Sequence, residues 1–103
     1  MKRGEVWWVE RPGRGRRPYL VLTRDSAIPV LNRVVAVPVT RTVREIPTEV
    51  RLGPEDGMPQ ECALSLDNIA TVRRAHFVER ICRLDLQRIR EVCRALAIAT
   101  DCA

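Results

Sequence analysis

Arg17-Pro18-Tyr19-Leu20-Val21-Leu22-Thr23-Arg24-Asp25 is a β-type apolar run with a cation at its head. A second run, Arg33-Val34-Val35-Ala36-Val37-Pro38-Val39-Thr40, follows after a turn region, Ser26–Asn32, that contains Pro29. In neither run do apolar and polar residues alternate cleanly, which marks a strand covered on both faces. The two read as neighbouring strands of a small barrel. One face lines the barrel core, and the other needs a helix or a second copy of the chain. In that arrangement Arg17, at the head of one strand, and Thr40, at the end of the other, come together at one edge.

Outward from this pair the elements are short. Glu5–Val9 reads as a strand that must put Trp7 and Trp8 on opposite faces, one toward the core and one toward a partner or the edge of a site. Glu10–Arg16 is rich in Pro, Gly and Arg and reads as a loop; it is either a phosphate gripper or a solvated hairpin tip. Strands are placed at Pro18–Thr23, Arg33–Val39 and Pro47–Leu52, the last by its alternation. Two more, Cys62–Leu66 and Asn68–Val72, are interrupted near Asp67. Gly53–Gln60 holds two glycines and two prolines and reads as an irregular loop. A helical turn at Arg74–Phe77 and a last short strand at Ile81–Arg83 precede a helix over Leu86–Ala99. Asp85 caps that helix. Leu86, Ile89, Cys93 and Leu96, with Val92, supply its apolar spacing of three and four.

The chain has 103 residues and no internal repeat, which suits one domain spanning 1–103. With 46% apolar and 30% charged residues it is globular rather than disordered in composition. Its net charge is +5, and Lys2 is the only lysine. Arginine grips phosphate with a planar fork and stacks on bases, so the excess points to nucleic acid; an arginine-rich codon bias would give the same count. No stretch approaches the ~20 apolar residues of a membrane span. The N-terminus lacks an apolar signal core. Cys62, Cys82, Cys93 and Cys102 form no CxxC pair, so neither a metal site nor a cofactor is expected, and the thiols suit a reducing, cytoplasmic setting. Cys93 is read as core.

Most enzyme signatures are missing: no P-loop, no GxGxxG, no Ser-His-Asp set. His76, beside Phe77, reads as structural. An enzyme built this way needs a substrate that brings its own nucleophile. RNA does so, because its 2′-hydroxyl can attack the adjacent phosphate. That step needs a cation for the phosphorane and a hydroxyl to position the phosphate. Arg17 and Thr40 fit those needs, although each also has a plain reading as a surface arginine and a strand-end threonine.

Lys2-Arg3-Gly4-Glu5-Val6-Trp7, Arg17–Asp25 and Val37-Pro38-Val39-Thr40, taken in this order, resemble the MazF/PemK toxin family. The similarity continues through Ala63–Ile69, Arg80–Leu84 and the terminal helix, so it covers nearly the whole chain; the short, arginine-rich mycobacterial toxins are the best match. The resemblance implies an SH3-like, CcdB/PemK-type small barrel with a C-terminal helix, mainly β. It implies a homodimeric, metal-independent endoribonuclease that cuts single-stranded RNA (mRNA, rRNA or tRNA) at short motifs, with Arg17 and Thr40 as the catalytic pair. It also implies a cognate MazE-type antitoxin whose acidic tail fills the RNA groove. Alternatives on the same barrel are a gyrase-poisoning toxin and a non-catalytic RNA-binding module. Arg14, Arg16, Tyr19, Arg41, Asp67 and Asn68 are the candidate RNA contacts. Tyr19 stands where relatives have a small aliphatic residue and either stacks on a base or packs. Asn68 either reads a base edge or closes a turn. The Glu10–Arg16 loop is shorter than in many relatives, which moves base selection toward Arg41–Arg44 or Asp67–Asn68.

Overall fold

The computed structural model describes residues 1–102; the expected domain reaches one residue further, to Ala103, outside the described residues. Seven strands form one curled sheet: β1 (Glu5–Arg11), β2 (Gly15–Val21), β3 (Arg33–Thr40), β4 (Glu49–Leu52), β5 (Cys62–Ser65), β6 (Ala70–Arg73) and β7 (Phe77–Arg83). One helix, α1 (Leu86–Thr100), closes the chain. The expected mainly β fold with a C-terminal helix is the fold adopted.

The strand order is β4-β5-β3-β2-β1-β7, with β6 also on β3. β3 is where the sheet splits. Its first half pairs with β6 and its last two residues pair with β5, as Val39 with Leu64 and Thr40 with Ala63. All these neighbours are antiparallel.

Two apolar layers follow from the two-residue side-chain period. Val6, Leu20, Leu22, Val37 and Val39 face one way, and meet Leu52, Leu64 and Leu66 with Val92 and Ala95 of α1. Val9, Tyr19, Val21, Val34 and Ala36 face the other way, and meet Ile28, Val72 and Phe77. The double coverage of β2 and β3 is therefore real, but the second face needs no second copy. The 26–32 turn folds Ile28 onto it, and the curl of the sheet brings Phe77 across.

β1 and β2 are longer than expected at the hairpin. Glu10 pairs with Arg16 and Arg11 with Gly15, which leaves only Pro12-Gly13-Arg14 as the turn. Gly13 turns the chain at φ 73°, where an L side chain is strained. The residues read as a loop are polar strand ends in solvent, so no apolar alternation betrays them. β7 also starts four residues early, at Phe77 instead of Ile81; it lies on β1 with two register shifts and is mostly exposed, which again hides the pattern.

Asp85 caps α1, its carboxylate accepting from the Arg88 amide at 2.9 Å. The buried stripe runs through Val92 and Ala95, with Ile89, Leu96 and Ala99 half-buried beside them. Leu86 and Cys93 instead face solvent. The apolar arc is one residue off the spacing read from sequence, and Cys93 is not core. Each buried Val or Leu contributes about 1.5–3 kcal/mol, so a few such contacts suffice to dock a helix that is marginal alone.

Candidate RNA-binding cavity

β2 and β3 carry the two residues singled out first. Tyr19 pairs with Pro38. Arg17 stands two residues before Tyr19 and Thr40 two residues after Pro38, so both lie at the same end of this strand pair. Arg17 Nε donates to the Val39 carbonyl at 3.1 Å, one residue before Thr40. The Thr40 hydroxyl accepts from the Thr42 amide at 3.1 Å, which leaves its own proton free to donate. No carboxylate pairs with Arg17 among the described residues.

A cavity of about 380 Å³ opens at this edge. Arg14, Arg16, Arg17 and Arg41 rim it. Arg14 and Arg41, like Arg17, lack an acidic partner among the described residues. Arg16 is held: its guanidinium lies 4.8 Å from the Trp8 ring centre and 2.7 Å from a Glu79 oxygen. Unpaired guanidinium groups around an open concavity make a strong anion site. Thr40 does not line the cavity itself, but both of its neighbours, Val39 and Arg41, do.

The far wall comes from the loop between β4 and β5, which sequence reasoning left without a role. Met58, Pro59 and Gln60 stand there, with Cys62 at the start of β5. The loop is braced from behind. Asp56 accepts from Arg88 of α1 at 2.9 and 3.2 Å and from the Gly53 amide at 3.0 Å. Gly57 passes so close to β7 that a Cβ there would lie 2.7 Å from Cys82 Cβ, and its φ is +95°. Density of Pro and Gly between two short strands was the available signal, since binding residues favour loops on a rigid frame. Trp8 is the tryptophan expected at the edge of a site; Trp7 packs on the second apolar layer, its indole N–H donating to Glu5 at 3.0 Å.

Three candidate contacts lie outside the cavity lining. Tyr19 is 4% exposed within the second layer, and Arg11 donates to its hydroxyl; its ring is occupied in packing. Asp67 and Asn68 lie in the Leu66–Asn68 turn, away from the cavity lining. Asp67 accepts from the Thr48 hydroxyl at 2.6 Å, and Asn68 donates to the Ser65 hydroxyl at 2.7 Å. Short polar side chains that satisfy their own turn have little left to offer a base.

The buried Cys62 and half-buried Cys82 thiols do not add a nucleophile. Burial, with Glu61 and Asp56 nearby, pushes the Cys62 thiol up to about 11. Burial also raises Cys82, with Asp56 adding to it. Thiolate is the reactive form, so an aromatic disulfide reagent at pH 7.5 is expected to titrate Cys93 and Cys102 rapidly and the other two only on unfolding. A fast phase of four thiols would refute that reading.

A family model described as PemK-like, MazF-like toxin of type II toxin-antitoxin system matches residues 2–100. The chain is 46% identical to the probable endoribonuclease MazF5 of Mycobacterium tuberculosis over 102 residues, 98% of this chain and 94% of that one. It is 43% identical to the probable endoribonuclease MazF2 of the same organism, over 99% of this chain and 100% of that one. A solved mycobacterial endoribonuclease in complex with its cognate antitoxin superposes with a TM-score of 0.89 at 28% identity, covering 100% of this chain and 97% of that one. The Mycobacterium tuberculosis toxin MazF-mt6 gives 0.86 at 29% identity, over 94% of this chain and 96% of that one. With the family model matched almost from end to end, the chain belongs to the PemK-like, MazF-like toxins of type II toxin–antitoxin systems.

Proposed function

We propose that this chain is a metal-independent endoribonuclease that cuts single-stranded RNA and thereby slows growth. The observation that carries the reading is Arg17, without an acidic partner among the described residues and bonded to the carbonyl next to Thr40, at an arginine-rimmed cavity. The names of the relatives, endoribonucleases over nearly the full chain, point the same way.

The 2′-oxygen attacks the adjacent phosphorus and the P–O5′ bond breaks. The products are a 2′,3′-cyclic phosphate and a free 5′-hydroxyl, with one net proton passing from the 2′-oxygen to the 5′-oxygen. The Arg17 guanidinium donates to the non-bridging oxygens, where charge builds up in the phosphorane. Its terminal nitrogens are available because only Nε is used, on Val39. The Thr40 hydroxyl orients the phosphate. Arg14 and Arg41 hold flanking phosphates. The same basic cavity suits the acidic tail of a cognate antitoxin, and the active unit is a homodimer in the cytoplasm.

Purified protein mixed with a single-stranded RNA in excess EDTA tests the reading. Fragments with cyclic-phosphate and 5′-hydroxyl ends are expected. RNA that is retarded in a gel but stays whole would make the chain a binding module, and RNA neither bound nor cut would overturn the reading.

A further inference from the structure

We infer that Gln60 is a base-reading residue, which selects one nucleotide of the RNA by pairing with its edge. This rests on the endoribonuclease reading and adds the question of sequence choice. Guanidinium groups that grip phosphates position a strand but carry no sequence information. Reading a base needs a donor and an acceptor side by side, held in a fixed place. Among the polar groups around the cavity, Gln60 is the one uncharged carboxamide. It is exposed, and no described residue hydrogen-bonds to its side chain.

Its position is fixed from both sides. Met58 is 4% exposed in the core, and its amide donates to the Gly53 carbonyl at 3.3 Å. Cys62, 2% exposed, pairs with Leu52 in the sheet. Only Pro59, Gln60 and Glu61 span these anchors, and Pro59 has its own φ locked. The backbone that carries the carboxamide is therefore already placed, unlike that of a free loop, and only the side chain remains to be ordered. The Trp8–Arg16 stack forms another part of the same cavity. Both ring and guanidinium accept a base in stacking. A base resting on that stack turns an edge outward, and the arrangement supplies a carboxamide in the same cavity to pair with it. Bidentate pairing of glutamine with adenine is the geometry such amides favour.

The test is cleavage of a randomised single-stranded RNA pool, with the 5′ ends of the products sequenced, for the wild type, Gln60→Ala and Gln60→Glu. The wild type is expected to prefer one base, adenine, at one position of its motif. Gln60→Ala should reduce that preference by about ten-fold or more while the other positions keep theirs. Gln60→Glu should move the same position toward cytosine, whose amino group a carboxylate accepts from. An unchanged motif in Gln60→Ala overturns the inference, and so does a loss of cutting or a loss of preference at every position. If the wild type fails to cut the pool, the endoribonuclease reading itself falls first.

Discussion

Arg17→Ala is expected to lower cleavage of single-stranded RNA by at least about 10²–10³-fold, the usual loss when one preorganised donor to a developing oxyanion is removed. The fold should be unaffected. Arg17 is exposed, and its one hydrogen bond goes to a strand-edge carbonyl; surface changes of this kind alter stability by less than about 0.5 kcal/mol. RNA binding should weaken far less than turnover, because Arg14, Arg16 and Arg41 remain on the rim. Loss of kcat with modest change in KM is the mark of a contact made mainly in the transition state. Arg17→Lys should recover only part of the rate, since an ammonium cannot donate two parallel hydrogen bonds. Single-turnover cleavage of one RNA by the three proteins, with unfolding midpoints measured alongside, decides the matter. Alanine at this position with undiminished cleavage would remove Arg17 from the reaction.

That β2 and β3 are neighbours was legible because a β-strand carries its pairing pattern in its sequence. Two doubly apolar runs joined by a short turn have few ways to pair, and an antiparallel pairing leaves the head of one beside the end of the other. The helix was equally plain, since Asp85 and the apolar spacing agree on where it starts. Its buried face was misjudged by one residue, because Leu86 and Cys93 are apolar without being covered. Propensity and period cannot say which arc of a helix its neighbour reaches. The far wall of the cavity was not legible for a related reason. Gln60 shares a cavity with Trp8 and Arg16 because β5 pairs with β3 and the loop before it is held to α1 through Asp56 and Arg88. Those are long-range facts with no local pattern. Asp67 and Asn68 drew attention through the resemblance, which sets them near the groove, whereas their hydrogen bonds to Thr48 and Ser65 lie within the fold and leave no local sign of it.

That long-range attachment is itself open to measurement. Arg88→Ala is expected to destabilise the fold by about 2–3 kcal/mol, below the ~3–5 kcal/mol of a fully buried pair because the Arg88 side chain is 24% exposed. The penalty arises on the other side of the contact. The Asp56 side chain is only 9% exposed and would keep the Gly53 amide as its remaining partner while losing the cation that offsets its burial. Hydrogen bonds to Asp56, partly offset by burial and reinforced by Glu91, raise the Arg88 pKa still further above its ordinary value, so Arg88 stays charged at any working pH. If that account is right, the second substitution should not add to the first. Asp56→Ala in the Arg88→Ala background should cost less than Asp56→Ala alone, with a coupling of at least about 1 kcal/mol in denaturant unfolding. The functional consequence separates a brace from a mere stabiliser. Loosening Asp56 frees the loop that carries Met58 and Gln60, so Arg88→Ala should blur the cleavage motif at temperatures where the protein is still fully folded. Additive energies, or a motif as sharp as that of the wild type, would mean that α1 supports the core alone and leaves the cavity wall to hold itself.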